Sequence, residues 1–199
     1  MSDNVAVLDS TAVNSDAFAE RVLRSAAGAF QLFSIYIGDQ LGYYAALAVG
    51  NAMDAGELAA ATRTSERYTR EWLEQQTVAG LLVVDDAAAP AMLRRFSLPA
   101  AHAEVLADED SLNYLAPLAQ MLAGAVAPLN RVLDAYRTGR GVPYEAFGDQ
   151  FRAGQGRINR SLFLRQLGQE WLPSIPDVHA RLHHGSPAMV AEIGCGAGW

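Results

Sequence analysis

The sequence predicts a mainly α-helical fold that leads into the start of an α/β domain, and three observations indicate it. A helix, a turn and a second helix are followed by two short apolar segments over residues 57–98. Two stretches, 25–53 and 111–130, carry at most one charge each and have the length of helix pairs. The last residues, 188–199, join an apolar run to a glycine-rich turn.

The helix-turn-helix is predicted from helix propensity and capping residues. Residues 57–61 favour a helix, 62–65 a turn, and 66–79 a second helix. Ser65 is the expected N-cap of the second helix, and Glu66 lies in its first turn. The residues that recur at helical spacing, and that we expect to form its buried face, are Tyr68, Trp72 and Leu73.

The segments 80–86 and 94–98 predict the two strands of a wing, because both contain apolar runs and the gap between them is small or polar. A helical stretch that begins near His102 follows them. The predicted fold is therefore a winged helix-turn-helix with a helical dimerisation bundle. After it come only the first strand and the glycine turn of a Rossmann-like α/β domain.

The C-terminal motif begins with a predicted strand over 188–193 that contains Glu192. The glycines that follow it are Gly194, Gly196 and Gly198. Their spacing is G-x-G-x-G, whereas the dinucleotide fingerprint G-x-G-x-x-G would need glycine in place of Trp199. The pattern resembles motif I of the class I S-adenosylmethionine-dependent methyltransferases. The resemblance implies that the glycines pack against the methionine and ribose parts of S-adenosylmethionine, and that Glu192 orients the site.

The upstream sequence resembles one branch of that family, the bacterial methyltransferases that carry an N-terminal winged-helix domain. The similarity rests on the helix-turn-helix, the wing and the segment 167–182, and it begins near residue 17. It implies an S-adenosylmethionine-dependent enzyme that methylates a small molecule. No catalytic base and no acceptor pocket are assigned, because in this family both depend on residues beyond motif I.

Four segments are expected: a disordered leader over 1–16, a helical and winged-helix domain over 17–110, a helical bundle over 111–184, and the start of the cofactor domain over 185–199. A strand-helix-strand crossover needs at least about 10–12 residues after its first strand. The acidic residue that holds the ribose should follow the glycines by about 20 residues. We therefore expect a methyltransferase truncated just after motif I, catalytically incomplete, with weak or no cofactor binding and fraying from about residue 185.

The stretch 25–53, which carries a single charge, contains more large apolar residues than one small winged helix can bury. They are Phe30, Leu32, Phe33, Ile35, Tyr36, Leu41, Tyr43, Tyr44 and Leu47. A helix without a polar face must be covered on all sides, and the methyltransferases that the chain resembles pair through this region. We expect a homodimer built from residues 17–53 with help from 111–138. The stretch 111–130 is long enough to span a bilayer, but its Asn, Gln, Gly and Pro residues favour a helix pair outside the membrane.

The composition argues against some classes of partner. A net charge of −7 disfavours general binding to nucleic acid or to anionic membranes. The single Cys195 excludes an intrachain disulfide, and with the absence of a secretory signal it favours the cytoplasm. Two other functions stay open: a winged-helix transcription regulator that binds DNA, and a dimerisation protein without catalysis. DNA binding is disfavoured because residues 57–97 carry five Arg against six acidic residues.

Residues 131–165 carry seven Arg against three acidic residues. Glycines at 139, 141, 148, 154 and 156 and a proline at 143 predict that this segment is divided into short elements. A longer helix is expected over 157–171. The Arg residues predict either a solvated face that pairs with acidic residues or a site for an anionic substrate group. The histidines are His102, His179, His183 and His184; they lack the further ligands of a metal site, and none is expected.

Overall fold

The computed structural model of the protein describes residues 14–183 and 188–198. The helices are α1 (Ser15–Gln40), α2 (Tyr43–Leu47), α3 (Ala55–Thr62), α4 (Glu66–Val78), α5 (Ala100–Leu106), α6 (Ala116–Ala125), α7 (Leu129–Thr138), α8 (Gly148–Leu162) and α9 (Pro176–His183). A short 3-10 helix (Tyr144–Phe147) precedes α8, and a π-helix (Phe163–Trp171) follows it. The strands are β1 (Val83–Val84) and β2 (Phe96–Ser97). The predicted mainly α-helical fold is confirmed.

Helix α1 begins at Ser15, two residues before the boundary expected at residue 17. Asn14 caps it, because its side-chain oxygen accepts a hydrogen bond of 2.9 Å from the backbone N–H of Asp16. The rest of the predicted leader, residues 1–13, lies outside the described residues. The first three turns of α1 are exposed, and its second half packs on α4, where the Trp72 indole N–H donates to the Ser34 carbonyl at 2.9 Å.

The predicted helix-turn-helix is confirmed as α3 and α4. Asp54 and Glu57 form a capping box at the start of α3, and the helix ends where Arg63 adopts a left-handed conformation, φ 57°. Ser65 occupies the predicted N-cap position of α4, but its side chain makes no capping hydrogen bond there. The turn is therefore fixed by the backbone at Arg63 and by Thr64, whose N–H donates to the Ala59 carbonyl at 2.9 Å and whose Oγ1 lies 3.0 Å from Thr62 Oγ1.

The prediction that Tyr68 belongs to the buried face of α4 is wrong, since 70% of this residue is exposed. The buried residues of α4 are Thr69, Trp72, Leu73 and Gln76. Their spacing is helical, but two of the four are polar, so an apolar pattern alone selected the wrong first member. Thr69 and Gln76 are satisfied by the two tyrosines of α2: the Tyr43 hydroxyl lies 2.9 Å from Thr69 Oγ1, and Tyr44 donates to Gln76 Oε1 at 2.5 Å.

The predicted wing is confirmed as an antiparallel pair in which Val84 lies opposite Phe96. Phe96 is fully buried and also exchanges two backbone hydrogen bonds with Met53, of 2.8 and 2.9 Å. The wing is therefore tied to the chain just before α3. Helix α5 follows at the predicted place, and His102 within it lies 2.8 Å from the Leu81 carbonyl through Nδ1.

The predicted helix pair over 111–130 is α6 with the start of α7, and α6 packs against both α1 and α8. Among the described residues, no helix combines the length and the apolar character needed to cross a lipid bilayer.

The predicted interruption of the chain by glycines is confirmed at Gly139, which ends α7 in a left-handed conformation, φ 71°. It is wrong at Gly154 and Gly156, because α8 begins at Gly148 and runs through both of them. A Cβ atom added at Gly154 would lie 2.5 Å from the backbone nitrogen of Met121 in α6. One added at Gly124 of α6 would lie 2.7 Å from the Cα atom of Phe151 in α8. These glycines thus allow the two helix backbones to approach closely, at the expense of some helix propensity.

The predicted strand over 188–193 does not form: these residues have no strand partner, and Met189 and Ile193 are almost completely exposed. A β-strand needs a neighbour to pair its N–H and C=O groups, and the described residues provide none at this position. The segment nevertheless lies beside α8, where it forms one side of a cleft.

Candidate functional site

A cleft of about 960 Å³ lies between α8 and the glycine-rich segment 192–197. One wall carries Glu192 and the backbone of the glycine turn, and the other is formed by one face of α8 with the preceding 3-10 helix. The side chains on the helical wall are Tyr144, Asp149, Arg152, Gln155, Asn159 and Phe163. The cleft therefore combines charged, amide and aromatic groups with exposed backbone.

Three of the four predicted cofactor residues, Glu192, Gly194 and Gly196, line this cleft. Gly198 lies just beyond the lining, and its N–H donates to the Cys195 carbonyl at 2.9 Å. The φ angles of the three glycines are 77°, 58° and 74°, a left-handed conformation that side chains disfavour. A Cβ at any of them would have no neighbour within 4 Å. The turn thus presents open backbone to the cleft.

The helical wall results from residues spaced along one side of α8. Arg152, Gly156, Asn159 and Phe163 follow each other at intervals of three or four residues, which places them on a single face. Tyr144 closes one end, where its hydroxyl donates to Gln155 Oε1 at 2.8 Å. Gly156 leaves a gap in the side chains at the centre of this wall.

Arg157 points away from the cleft into an ion pair that joins three helices. Its guanidinium donates to both carboxylate oxygens of Asp39 at 2.7 and 2.8 Å, to Gln120 Oε1 at 2.8 Å and to the Tyr114 hydroxyl at 2.5 Å. Only 5% of the Asp39 side chain and 27% of the Arg157 side chain are exposed. The hydrogen bonds that Arg157 donates to Asp39 raise the pKa of Arg157 further above its ordinary value, and burial raises the pKa of Tyr114 to about 12.

Two more Arg residues of this segment bind the loop before α6. Arg160 donates to Asp110 at 2.6 Å and to the Glu109 carbonyl at 3.0 Å, and Arg165 donates to the Asp110 carbonyl at 2.5 Å. The hydrogen bond from Arg160 lowers the pKa of the Asp110 carboxyl. Of the two interpretations of the Arg-rich segment, pairing with acidic residues holds for Arg157 and Arg160, although the Arg157 pair is largely buried and not solvated.

Three of the five Arg residues of the helix-turn-helix and the wing are engaged within the protein. Arg70 pairs with Glu66 at 2.7 Å, Arg94 with Glu74 at 2.7 Å, and Arg95 with Glu57 at 2.8 Å. Cations that are neutralised within the protein have little to offer to DNA phosphates. The geometry adds nothing to the DNA-binding alternative.

Over residues 14–183 and 188–198, no group of three or more potential ligands is arranged to hold a metal ion. The ring centroids of His179 and His183 in α9 lie 4.4 Å apart, with the ring planes tilted by 60°. His184, the fourth histidine, lies outside the described residues.

The sequence did not single out Asp39, Tyr114 or Asn159. Asp39 offered a signal, because it is the sole charge in a stretch of 29 residues and a lone charge among apolar residues requires a buried partner. That partner is 118 residues away, so no local pattern identifies it. Asn159 carries no such signal.

Comparisons with known proteins agree with this architecture. Residues 28–108 match the Rv2258c-like winged HTH domain family. No curated protein sequence matches the chain. Three solved structures share its fold: the mitomycin 7-O-methyltransferase MmcR (24% identity, TM-score 0.57), human N-acetylserotonin methyltransferase in complex with SAM (19%, 0.58), and PigF with SAH (17%, 0.57).

The chain spans about half the length of these structures. The alignments cover 77%, 82% and 83% of this chain, but only 47%, 50% and 56% of MmcR, the human enzyme and PigF, respectively. At these sequence identities the alignments show a shared fold and no more. The winged helix-turn-helix and the mainly helical architecture are thus established for this chain.

Proposed function

We propose that these 199 residues form the N-terminal part of an S-adenosylmethionine-dependent methyltransferase that acts on a small molecule. The part serves dimerisation and covers the substrate side of the site. The supporting observation is the cleft, since Glu192, Gly194 and Gly196 border the same cavity as the polar and aromatic face of α8. The fold shared with three solved structures, two of them described with SAM or SAH, supports the same cofactor.

The chemistry requires a sulfonium donor and an acceptor nucleophile held in line with its methyl group. In the proposed arrangement the glycine turn contacts the methionine and ribose parts of the donor, and α8 covers the acceptor. The ribose hydroxyls and the adenine need a further acidic strand end and its neighbours. We expect that the 199 residues alone lack catalysis and bind the cofactor weakly or not at all, and we place the intact enzyme in the cytoplasm.

The DNA that follows the Trp199 codon tests this proposal. The expected result is an open frame that continues into a helix and then into a strand that ends in Asp or Glu about 20 residues after the glycines. A frame that encodes neither element would contradict the proposal.

We further propose that the protein is a homodimer that pairs through residues 17–53 with help from 111–138. The support is an exposed apolar row on α1, which includes Phe18, Val22, Leu23 and Phe30, and a second one on α7, which includes Leu129, Leu133 and Tyr136. Apolar rows of this size on two helices of one chain are typical of an interface between subunits.

Sedimentation equilibrium at micromolar concentration tests the dimer. Phe30→Asp is the informative variant, because Phe30 is 73% exposed in the single chain and we expect its replacement to leave the fold of the subunit intact. We expect a dimer for the unchanged protein, a monomer for Phe30→Asp, and a dimer for the matched control Val78→Asp, whose site on α4 is exposed but outside both rows. A monomeric unchanged protein would rule the proposal out. Phe33→Asp is a second variant. Because Phe33 is half-buried, a charge at this position should either dissociate the dimer or unfold the chain.

A further inference from the structure

The helix that forms one wall of the cleft changes its winding before it ends. α8 continues without a break into the π-helix, nine residues from Phe163 to Trp171. Hydrogen bonds of this winding join residues five apart, as between the Leu172 N–H and the Leu167 carbonyl at 2.9 Å. π-helices are rare, mostly span a single turn and occur frequently at functional sites. A π-helix of this length therefore needs a structural reason.

Packing against the rest of the protein does not supply that reason. No residue of the π-helix is buried. Arg165 donates to the Asp110 carbonyl, but in the described part of the chain no side chain of residues 166–182 makes a hydrogen bond or ion pair with an earlier element. A Cβ at Gly168 would meet nothing within 4 Å, whereas one at Gly154 would meet α6. Glycine at 168 thus contributes backbone freedom in the middle of the π-helix and not close packing.

One contact within the segment distinguishes π winding from α winding. The rings of Phe163 and Trp171, the first and last residues of the π-helix, meet edge to face with their centroids 5.7 Å apart. In an α-helix, residues eight apart are separated by about 12 Å along the axis, and both side chains lean towards the N-terminus. The two rings would therefore lose contact in an α-helix. The contact stabilises the π winding alone.

The π-helix also joins the two walls of the cleft. Phe163 lines the cleft at the end of the α8 wall. From Trp171 the chain runs through α9 to the glycine-rich segment 192–197, which forms the opposite wall. Because π winding places more residues in each turn, the same nine residues form a shorter and wider segment than in an α-helix. A change of winding therefore displaces and rotates α9 relative to α8.

We propose that the π-helix is a hinge with two windings. In the π form the Phe163–Trp171 contact is made, and in the α form it is broken and α9 is displaced from α8. The change exchanges hydrogen bonds between residues five apart for bonds between residues four apart, so most backbone groups keep a partner. The inference goes beyond the proposed function, because it does not depend on what the cleft binds.

Double electron–electron resonance on the 199-residue chain tests the hinge. Spin labels are attached at two exposed positions, Glu71→Cys on α4 and Arg181→Cys on α9, after Cys195→Ser has removed the native thiol. α4 is joined to α8 through α1, so the distance between the labels reports the position of α9. Dilution with unlabelled protein restricts the measurement to distances within one chain.

We expect two distances, one for each winding. Phe163→Ala should shift the ratio of the two populations about threefold to tenfold towards the α form, which is the effect of losing one aromatic pair. Trp171→Leu removes the other ring and should produce the same shift. Far-UV circular dichroism should stay unchanged in both variants, because both windings are helical.

The matched control is Phe147→Ala. Phe147 is also half-buried, and its ring also meets an aromatic ring in the same region, that of Phe151 at 5.0 Å between centroids. This contact lies before the hinge, so its loss should leave the distances and their ratio unchanged.

Three results would overturn the proposal: an unchanged distance distribution in Phe163→Ala and Trp171→Leu, an equal shift in Phe147→Ala, or a loss of helical circular dichroism in both hinge variants. The last result would mean that the rings hold the helix together and do not select its winding. A protein that continues past Trp199 and transfers no methyl group would contradict the proposed function, while a shift that depends on Phe163 and Trp171 would still stand.

Discussion

Removal of the Arg157 guanidinium should destabilise the whole helical part of the protein. Arg157→Met keeps a long apolar stem, but it leaves Asp39 without its cation and the Tyr114 and Gln120 oxygens without their donor. Because only 5% of the Asp39 side chain is exposed, water cannot replace the lost partner. The variant therefore tests whether this ion pair joins α1, α6 and α8.

The magnitude follows from the burial. Loss of one partner of a fully buried ion pair costs about 3–5 kcal/mol. Arg157 is 27% exposed, so we expect the lower end, about 3 kcal/mol. In a protein of this size that change lowers the melting temperature by about 6–12 °C. Arg137→Met removes an exposed pair with Asp134 and should cost no more than about 0.5 kcal/mol.

Urea unfolding followed by circular dichroism measures both changes in the free energy of unfolding. The double variant Asp39→Asn with Arg157→Met should cost at least about 1.5 kcal/mol less than the sum of the two single variants, because the second change no longer strands a charge. If Arg157→Met costs less than 1 kcal/mol, or no more than Arg137→Met, then the pair does not hold the helices together and the reasoning is refuted.

Three further predictions concern packing, pH and the C-terminal segment. Gly154→Ala should destabilise the protein by about 1–3 kcal/mol in thermal unfolding, because the added Cβ would meet the Met121 backbone. Gly28→Ala, in open space on α1, should stabilise it by up to about 1 kcal/mol. If both variants shifted the free energy of unfolding in the same direction, the close packing at Gly154 would be contradicted. Burial raises the pKa of Tyr114 to about 12, so the stability that the neutral hydroxyl contributes is complete below pH 10 and is lost as pH rises from 10 to 12. In Tyr114→Phe the free energy of unfolding should fall less steeply over this pH range, and an unchanged slope would contradict the prediction. Backbone amides of residues 190–194 should exchange with deuterium nearly as fast as a random coil, because these residues have no strand partner among the described residues, and strong protection would contradict that.

Much of the fold could be predicted because its signals are local. The turn that follows α3, the start of α4 at Ser65 and Glu66, and the apolar wing all depend on residues within or next to the elements that they define. Local patterns failed where a neighbour in space decides the outcome. Gly154 was interpreted as a helix breaker, although contact with α6 makes glycine necessary there. Tyr68 was assigned to the core because the real core positions of α4 include polar Thr69 and Gln76.

The candidate site could be predicted only on one side. The glycine spacing and Glu192 identified one wall, since a motif is contiguous in sequence. The other wall comes from α8, about 40 residues earlier, and nothing in the sequence indicates which of its Arg residues faces the cleft. Arg152 and Arg157 are five residues apart and point to different surroundings, a distinction that only the packing of α8 on α6 and α1 creates.

The most direct test of the account is a calorimetric titration of S-adenosylhomocysteine into two proteins: this 199-residue chain, and the product of the same reading frame continued past Trp199. The account predicts that the continued protein binds and that the 199-residue chain shows no dissociation constant in the low micromolar range. A cleft without groups for the ribose hydroxyls and the adenine cannot offset the entropy lost by a flexible ligand. Low micromolar binding by the 199 residues alone, or no binding by the continued protein, would contradict it.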